Sequence, residues 1–210
     1  WTAKEAADAI SRVRGCDIEP LVLVMIGAGL STSEALARDW EDMGEGCATI
    51  TVAGAYTQRG GMAEPKTSRR WRTVPVIPQC AERLEELRRR AGGAGPICLN
   101  RRGRRMGPQT SPRRWAELFW GPRSLVSTRE ELPPAPLWGL PHIAMSRLRA
   151  THETLMQQAG VSDSLNAALH GHSQKVAYSN YLSPVTDEAA HAARAVGEVI
   201  SPERPNLRLV

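Results

Sequence analysis

The sequence predicts an α+β fold, mainly helical with a small antiparallel β-sheet. Three observations carry that reading. Capped, apolar-periodic helical stretches recur along the 210 residues. Only two stretches, 47–57 and 71–77, are rich in Thr, Val and Ile in the manner of strands, and the turn Gln58-Arg59-Gly60-Gly61 between them makes them a hairpin or small sheet. At 41% hydrophobic and 23% charged residues the composition is that of a globular protein, long enough for one domain with a real core, or one domain plus extensions.

The elements follow in order. Thr2 to Val13 is Ala-rich with Glu5 near its start, a short helix. Asp17 is placed to cap a second helix through Pro20, Leu21, Val22, Leu23, Val24, Met25 and Ile26, apolar nearly all round and so destined for the core. Gly27 and Gly29 end it. Ser31-Thr32-Ser33-Glu34 fits a capping box that opens another short helix. After the two strands, Pro78 to Arg90 is a helix with Leu84 and Leu87 on one face and a basic last turn suited to the helix dipole. Ala91 to Gly95 is a loop, Arg101 to Gly107 a basic loop, and Pro112 to Trp120 a helix rich in aromatics and arginine. Pro133, Pro134 and Pro136 stiffen a connector over 122–139. Pro141 suits the first turn of a helix running to Gln158 and stopped by Gly160, with Ala144, Leu148, Thr151, Leu155 and Ala159 on its apolar face. Ser162 to Leu169 is a further short helix. Asp187 to Ile200 is the last, with Ala189, Ala193, Val196 and Ile200 on one side.

Lys and Arg number 27 against 22 Asp and Glu, a net charge of +5 that is mostly arginine. Such a balance suits a phosphate-rich partner, and equally a merely soluble basic surface. The cysteines, Cys16, Cys47, Cys80 and Cys98, form no C-x-x-C pair, so they read as buried free thiols of a reducing compartment and not as a zinc site. No leader is evident, and the longest apolar run, Leu21 to Leu30, is too short to span a bilayer. The expected location is cytoplasmic, at the nucleoid, with no membrane partner.

The chemistry-bearing residues gather in the last third. Arg149 lies on an amphipathic helix, His172 follows His170-Gly171, and Tyr181 stands nine residues later. Arginine offers phosphate a fixed fork of donors, histidine donates near neutral pH, and tyrosine can form a covalent intermediate. Each also has a plainer role open to it: Arg149 as ion-pair partner of Glu153 one turn on, His172 as a turn cap, Tyr181 as a core tyrosine. Tyr178, three residues earlier, breaks the spacing. His152 suits core packing. His170 and His172 lack a third metal ligand at suitable spacing.

Order and spacing resemble the tyrosine recombinase (phage integrase) catalytic domain over nearly the whole chain. Gly29-Leu30-Ser31-Thr32-Ser33-Glu34-Ala35-Leu36 is similar to the family's Gly-Leu-Arg-x-Ser-Glu-x-Leu box. The stretch 65–75 resembles its lysine-bearing hairpin, 148–155 its His-x-Leu-Arg-His-Thr box, and 170–173 its Leu-Gly-His-Ser box. The resemblance implies Tyr181 as nucleophile, Arg149 and His172 as stabilisers of the reacting phosphate, and Lys66 as general acid toward the leaving 5′ oxygen, without metal or cofactor. Two positions depart from the pattern. Ser31 stands where the family has its first arginine, and Ser146 where it has the histidine of the arginine box. Losing a cation from a phosphate cradle raises the barrier by about 3 kcal/mol or more. Arg38 lies two helical turns beyond Ser31, too far to fill that slot; His142, one turn before Ser146, is a nearer substitute.

The implied function is site-specific DNA cleavage and rejoining through a 3′-phosphotyrosyl link on Tyr181. The alternative is a catalytically impaired DNA-binding or regulatory protein on the same fold, motivated by Ser31 and Ser146. Arg69, Arg70, Arg72, Arg104, Arg105 and Arg113, interleaved with Trp71 and Trp115, are the expected wall toward double-stranded DNA. If about six arginines neutralise phosphates, log affinity falls with log salt at a slope near −5. The resemblance also implies a catalytic domain over 1–200, a tail over 201–210, an amino-terminal DNA-clamping domain absent from this chain, and a helix within 182–200 that docks into a neighbouring subunit. A homo-tetramer on DNA, monomeric without it, is the corresponding assembly.

Overall fold

The computed structural model describes residues 1–57, 61–63, 71–121, 138–171 and 187–200. Eight α-helices and four short strands are found there: α1 Ala3–Arg12, α2 Glu19–Ala28, α3 Thr32–Leu36, β1 Thr49–Val52, β2 Ala55–Tyr56, β3 Met62–Ala63, β4 Arg72–Pro75, α4 Pro78–Arg90, α5 Thr110–Trp120, α6 Arg147–Gln158, α7 Asp163–His170 and α8 Asp187–Ile200. This is the mainly helical α+β architecture expected.

The core forms around α2. Every residue from Leu21 to Ala28 is buried, and α1, α3, α4 and α6 pack around it. An isolated ten-residue helix is marginal in water, so burial of this all-round apolar surface holds it. Asp17 is not its cap. Ile18 stands at the N-cap without a side-chain hydrogen bond, while the Asp17 carboxylate takes Arg114 Nε at 2.9 Å and Arg101 Nε at 3.4 Å. Gly27 lies inside α2, where a Cβ would come within 2.7 Å of Cys80 Cβ; the helix ends instead at Gly29, in the left-handed region at φ 67°.

The expected strand over 47–57 divides. β1 pairs antiparallel with β4, Thr49 opposite Pro75 and Val52 opposite Arg72, while β2 pairs separately with β3. The break has a cause. Buried Arg38 donates to Thr51 O at 2.9 Å and Gly54 O at 3.2 Å, capturing one carbonyl of β1 and one in the step that leads to β2. The Thr51 and Thr73 hydroxyls lie 3.2 Å apart across the β1–β4 pair and fix its register.

The helix expected from Pro141 begins later, at Arg147. The carbonyls of Pro141 and Ile143 accept from the indole N–H groups of Trp1 (2.8 Å) and Trp115 (2.7 Å) and are drawn out of any helical ladder. Trp115 is buried, packed tilted or edge-on against Trp1, Phe119 and Trp138, so it belongs to the core and not to an outer wall. The cysteines are all free, with Cys47, Cys80 and Cys98 buried and Cys16 only half-buried. The last helix, α8, rests on α1, α4, α6 and β4 of its own chain through Ala189, Ala192, Ala193, Val196 and Ile200. Among the described residues no helix is long and apolar enough to cross a membrane.

Candidate active site

Three segments remote in sequence meet at one corner of the core. The end of α2 and start of α3 bring Gly29 to Glu34. The first turn of α6 brings Arg149. The C-terminus of α7 brings Leu169, His170 and Gly171. Burial of Leu148, His152, Leu155 and Met156 orients α6, which leaves Arg149 on the flank toward α3 and α7.

Glu34 is the hub. It closes the capping box of α3, accepting from the backbone N–H and hydroxyl of Ser31 at 2.9 Å each, while its own N–H donates to Ser31 Oγ at 3.4 Å. The same carboxylate takes Arg149 NH1 on Oε2 at 3.0 Å and Arg72 NH1 on Oε1 at 2.9 Å. Burial alone would raise the Glu34 pKa. The Arg72 hydrogen bond and charge, the Ser31 N–H and the Arg149 charge outweigh it and hold the value at about 2. Ser31 is thus a helix cap that also orients the carboxylate between two guanidinium groups.

Arg149 reaches further. Its NH2 donates to the carbonyl of His170 and its Nε to Glu153 Oε1 at 3.4 Å, the ion pair one turn on that the spacing allowed. Arg72, from the first position of β4, donates Nε to Leu169 O at 2.7 Å. The carbonyls of Leu169 and His170 at the end of α7 are therefore satisfied by two arginines from different elements, an arrangement that suits a helix C-terminus. Gly171, at φ 63°, caps α7, and a Cβ there would meet Arg72 NH1 at 3.2 Å.

Beneath this layer His152 and His170 are buried edge to face, with Nδ1 of His152 2.9 Å from Nε2 of His170. His170 Nδ1 lies 2.7 Å from Asn166 O, which can only accept, so Nδ1 carries the proton, Nε2 accepts, and His152 Nδ1 donates. Burial lowers the pKa of both imidazoles and keeps them neutral. A Cβ at Gly29 would sit 2.3 Å from His170 Nε2 and 2.6 Å from His152 Nδ1. The glycine of the first box is there to admit the imidazole pair as much as to turn the chain.

Of the residues singled out from sequence, Arg149, Ser31 and Arg72 come together; Arg72 was expected on the outer wall but is buried against Glu34 and Leu169 O, because its place on β4 faces the end of α7. Ser146 is exposed at the N-cap of α6, where its side chain makes no cap bond. His142 packs its ring on Phe119 and Trp120. Arg38 is committed to Thr51, Gly54, Glu34 O and Asp42. Lys66, Arg69, Arg70, His172 and Tyr181 lie outside the described residues. Arg104 and Arg113 are exposed, whereas Arg105 is drawn to Asp39 and to the carbonyls of Leu36 and Arg38. Sequence reading missed the hub role of Glu34, whose capping pattern spoke only for the helix start, and the inward course of Arg72.

No family model matches the chain, and no curated protein does. Solved structures do. The Tn1549 transposon integrase in complex with a circular intermediate DNA superposes with a TM-score of 0.60 over 87% of this chain, at 20% identity. A second complex with circular intermediate DNA gives 0.60 at 21% identity, and one with transposon right end DNA gives 0.56 at 20%. The chain has the tyrosine recombinase catalytic-domain fold. It spans about 60% of the length of the integrase chains it matches. On the tyrosine recombinase catalytic-domain fold, the meeting of α3, α6 and the end of α7 joins three of the boxes that carried the sequence resemblance.

Proposed function

We propose that this chain cleaves and rejoins DNA strands as the catalytic domain of a site-specific recombinase or integrase. The observation that carries the reading is the convergence of Arg149, Glu34 and the C-terminus of α7, immediately before His172, on a fold shared with an integrase seen on DNA. Tyr181 attacks a backbone phosphate. The phenol oxygen–phosphorus bond forms as the bond to the 5′ oxygen breaks; that oxygen takes a proton from Lys66, and the phenol gives its own proton to water. Arg149 and His172 stabilise the charge that builds on the non-bridging oxygens. The 3′-phosphotyrosyl ester retains the energy of the broken linkage, so a 5′ hydroxyl reverses the step without a nucleotide or metal cofactor.

Double-stranded DNA is the partner. Arg104 and Arg113, exposed in the structure, position the duplex through its backbone, and Arg69 and Arg70 are assigned the same role from the sequence. Assembly into a homo-tetramer on DNA follows the same reading.

A randomised pool of nicked suicide duplexes, from which the cut fragment diffuses away, tests this. The protein traps a covalent DNA adduct that survives denaturation, and Tyr181→Phe abolishes it. A second reading, a DNA binder without strand cleavage, rests on the saturation of Arg149 by Glu34, Glu153 and His170 O. Sequence-selective binding with no adduct from the unaltered protein favours that reading.

A further inference from the structure

We infer that Arg72 is the second guanidinium of the phosphate cradle and supplies from β4 what Ser31 does not supply from α3. The inference rests on the recombinase reading above and assigns a residue within that site.

Hairpin arginines usually lie in solvent. Arg72 does not: its side chain is only 9% exposed. Its partners are the ones that also hold Arg149. Both arginines donate to the Glu34 carboxylate, Arg72 on Oε1 and Arg149 on Oε2. They take successive carbonyls at the end of α7, Arg72 that of Leu169 and Arg149 that of His170. The two forks are therefore held within the span of one carboxylate, beside the helix terminus that leads to His172. Ser31 is bound to the same Glu34 oxygen as Arg149, which puts the departure from the family pattern against this cluster too.

Arg72 also keeps a donor in reserve. Its NH2 is buried and has no hydrogen-bond partner among the described residues. A buried charged donor without an acceptor is costly and is rarely kept without use. A non-bridging phosphate oxygen is the acceptor whose charge and geometry fit a guanidinium fork. Glu34 and Glu153 offset the two cations, so the cluster selects phosphate by directed donors and not by excess charge. Gly171 preserves the access of Arg72 to the end of α7, since a Cβ there would press on NH1 at 3.2 Å.

The test has two arms. In the first, inorganic phosphate is titrated into the ¹⁵N-labelled chain, and the arginine side-chain Nε–H signals are followed, assigned with Arg72→Lys and Arg149→Lys. Both signals moving on one saturation curve is the expected result. Movement of Arg149 alone, or of neither, overturns the cradle. In the second arm, covalent adduct formation is measured on a duplex selected from the suicide pool. Arg72→Ala lowers the rate by about a hundredfold or more. Replacing the scissile phosphate by a neutral methylphosphonate removes most of that penalty, because the lost cation then has no charge to meet. Arg72→Lys, which keeps the charge without the fork, falls between. Equal penalties on both substrates identify Arg72 as a packing residue and overturn the inference. No adduct from the unaltered protein on any duplex sinks the recombinase reading, and the phosphate titration still decides the cradle.

Discussion

Glu34 Oε2 lies 3.0 Å from Arg149 NH1, an ion pair that joins residues 115 positions apart. It ties the start of α3 to the first turn of α6, and Arg72 extends it to β4. One carboxylate thereby fixes the relative position of three elements at the candidate site.

Glu34→Gln tests that role through acid stability. The Glu34 pKa is lowered from 4.5 to about 2, so its stabilisation is complete above the unfolded value and is lost as pH falls from 4.5 toward 2. The shift corresponds to roughly 3 kcal/mol. Glu34→Gln loses about that much at pH 7 and flattens this limb of the stability curve. Denaturant unfolding from pH 7 to pH 2 measures it; an unchanged limb refutes the hub. The buried histidines act higher, from about pH 6.5 downward, because protonation of the unfolded chain draws on neutral native imidazoles.

Gly29→Ala breaks the layer beneath. A methyl group would stand 2.3 Å from His170 Nε2 on a backbone at φ 67°. Backbone strain and collision with a hydrogen-bonded pair together cost about 3 kcal/mol or more. Calorimetry of the variant checks this, and a shift of melting temperature within error contradicts the packing described.

Ser31→Arg separates the two accounts of the vacant family position. The substitution removes an N-cap, at about 1 kcal/mol, and adds a third cation beside Arg72 and Arg149. With Arg72 present, adduct formation does not rise. In an Arg72→Ala background it recovers. A rise in the presence of Arg72 shows that the slot was empty.

Arg105 and Arg104 differ in kind despite adjacency. Arg104→Ala and Arg113→Ala each reduce the magnitude of the salt slope of DNA binding by about 1. Arg105→Ala leaves the slope unchanged and destabilises the fold, since Asp39 and the carbonyls of Leu36 and Arg38 lose their donor. Equal slopes for Arg104→Ala and the unaltered protein contradict its place on the DNA wall.

What could be read from sequence was local. The Ser31 capping box, Pro78 at a helix start and the apolar run of α2 act within a turn or two, so the residue order contains their cause. Asp17, Arg72 and the start of α6 could not be read so. Asp17 meets Arg114, 97 residues away, and α2 starts after Ile18 without a side-chain cap. Arg72 turns inward only because the β1–β4 register sets it opposite Val52, near the end of α7. Pro141 could begin a helix, but two indoles from distant segments claim its own carbonyl and that of Ile143. The mainly helical class survived these errors because α2 and its packing partners dominate the core.

Peptide mapping of the trapped DNA adduct is the most direct trial of a tyrosine nucleophile served by this corner of the fold. After nuclease and protease digestion, mass spectrometry should find the deoxynucleotide remnant on Tyr181. A remnant on Tyr178 or on any other residue would contradict the account.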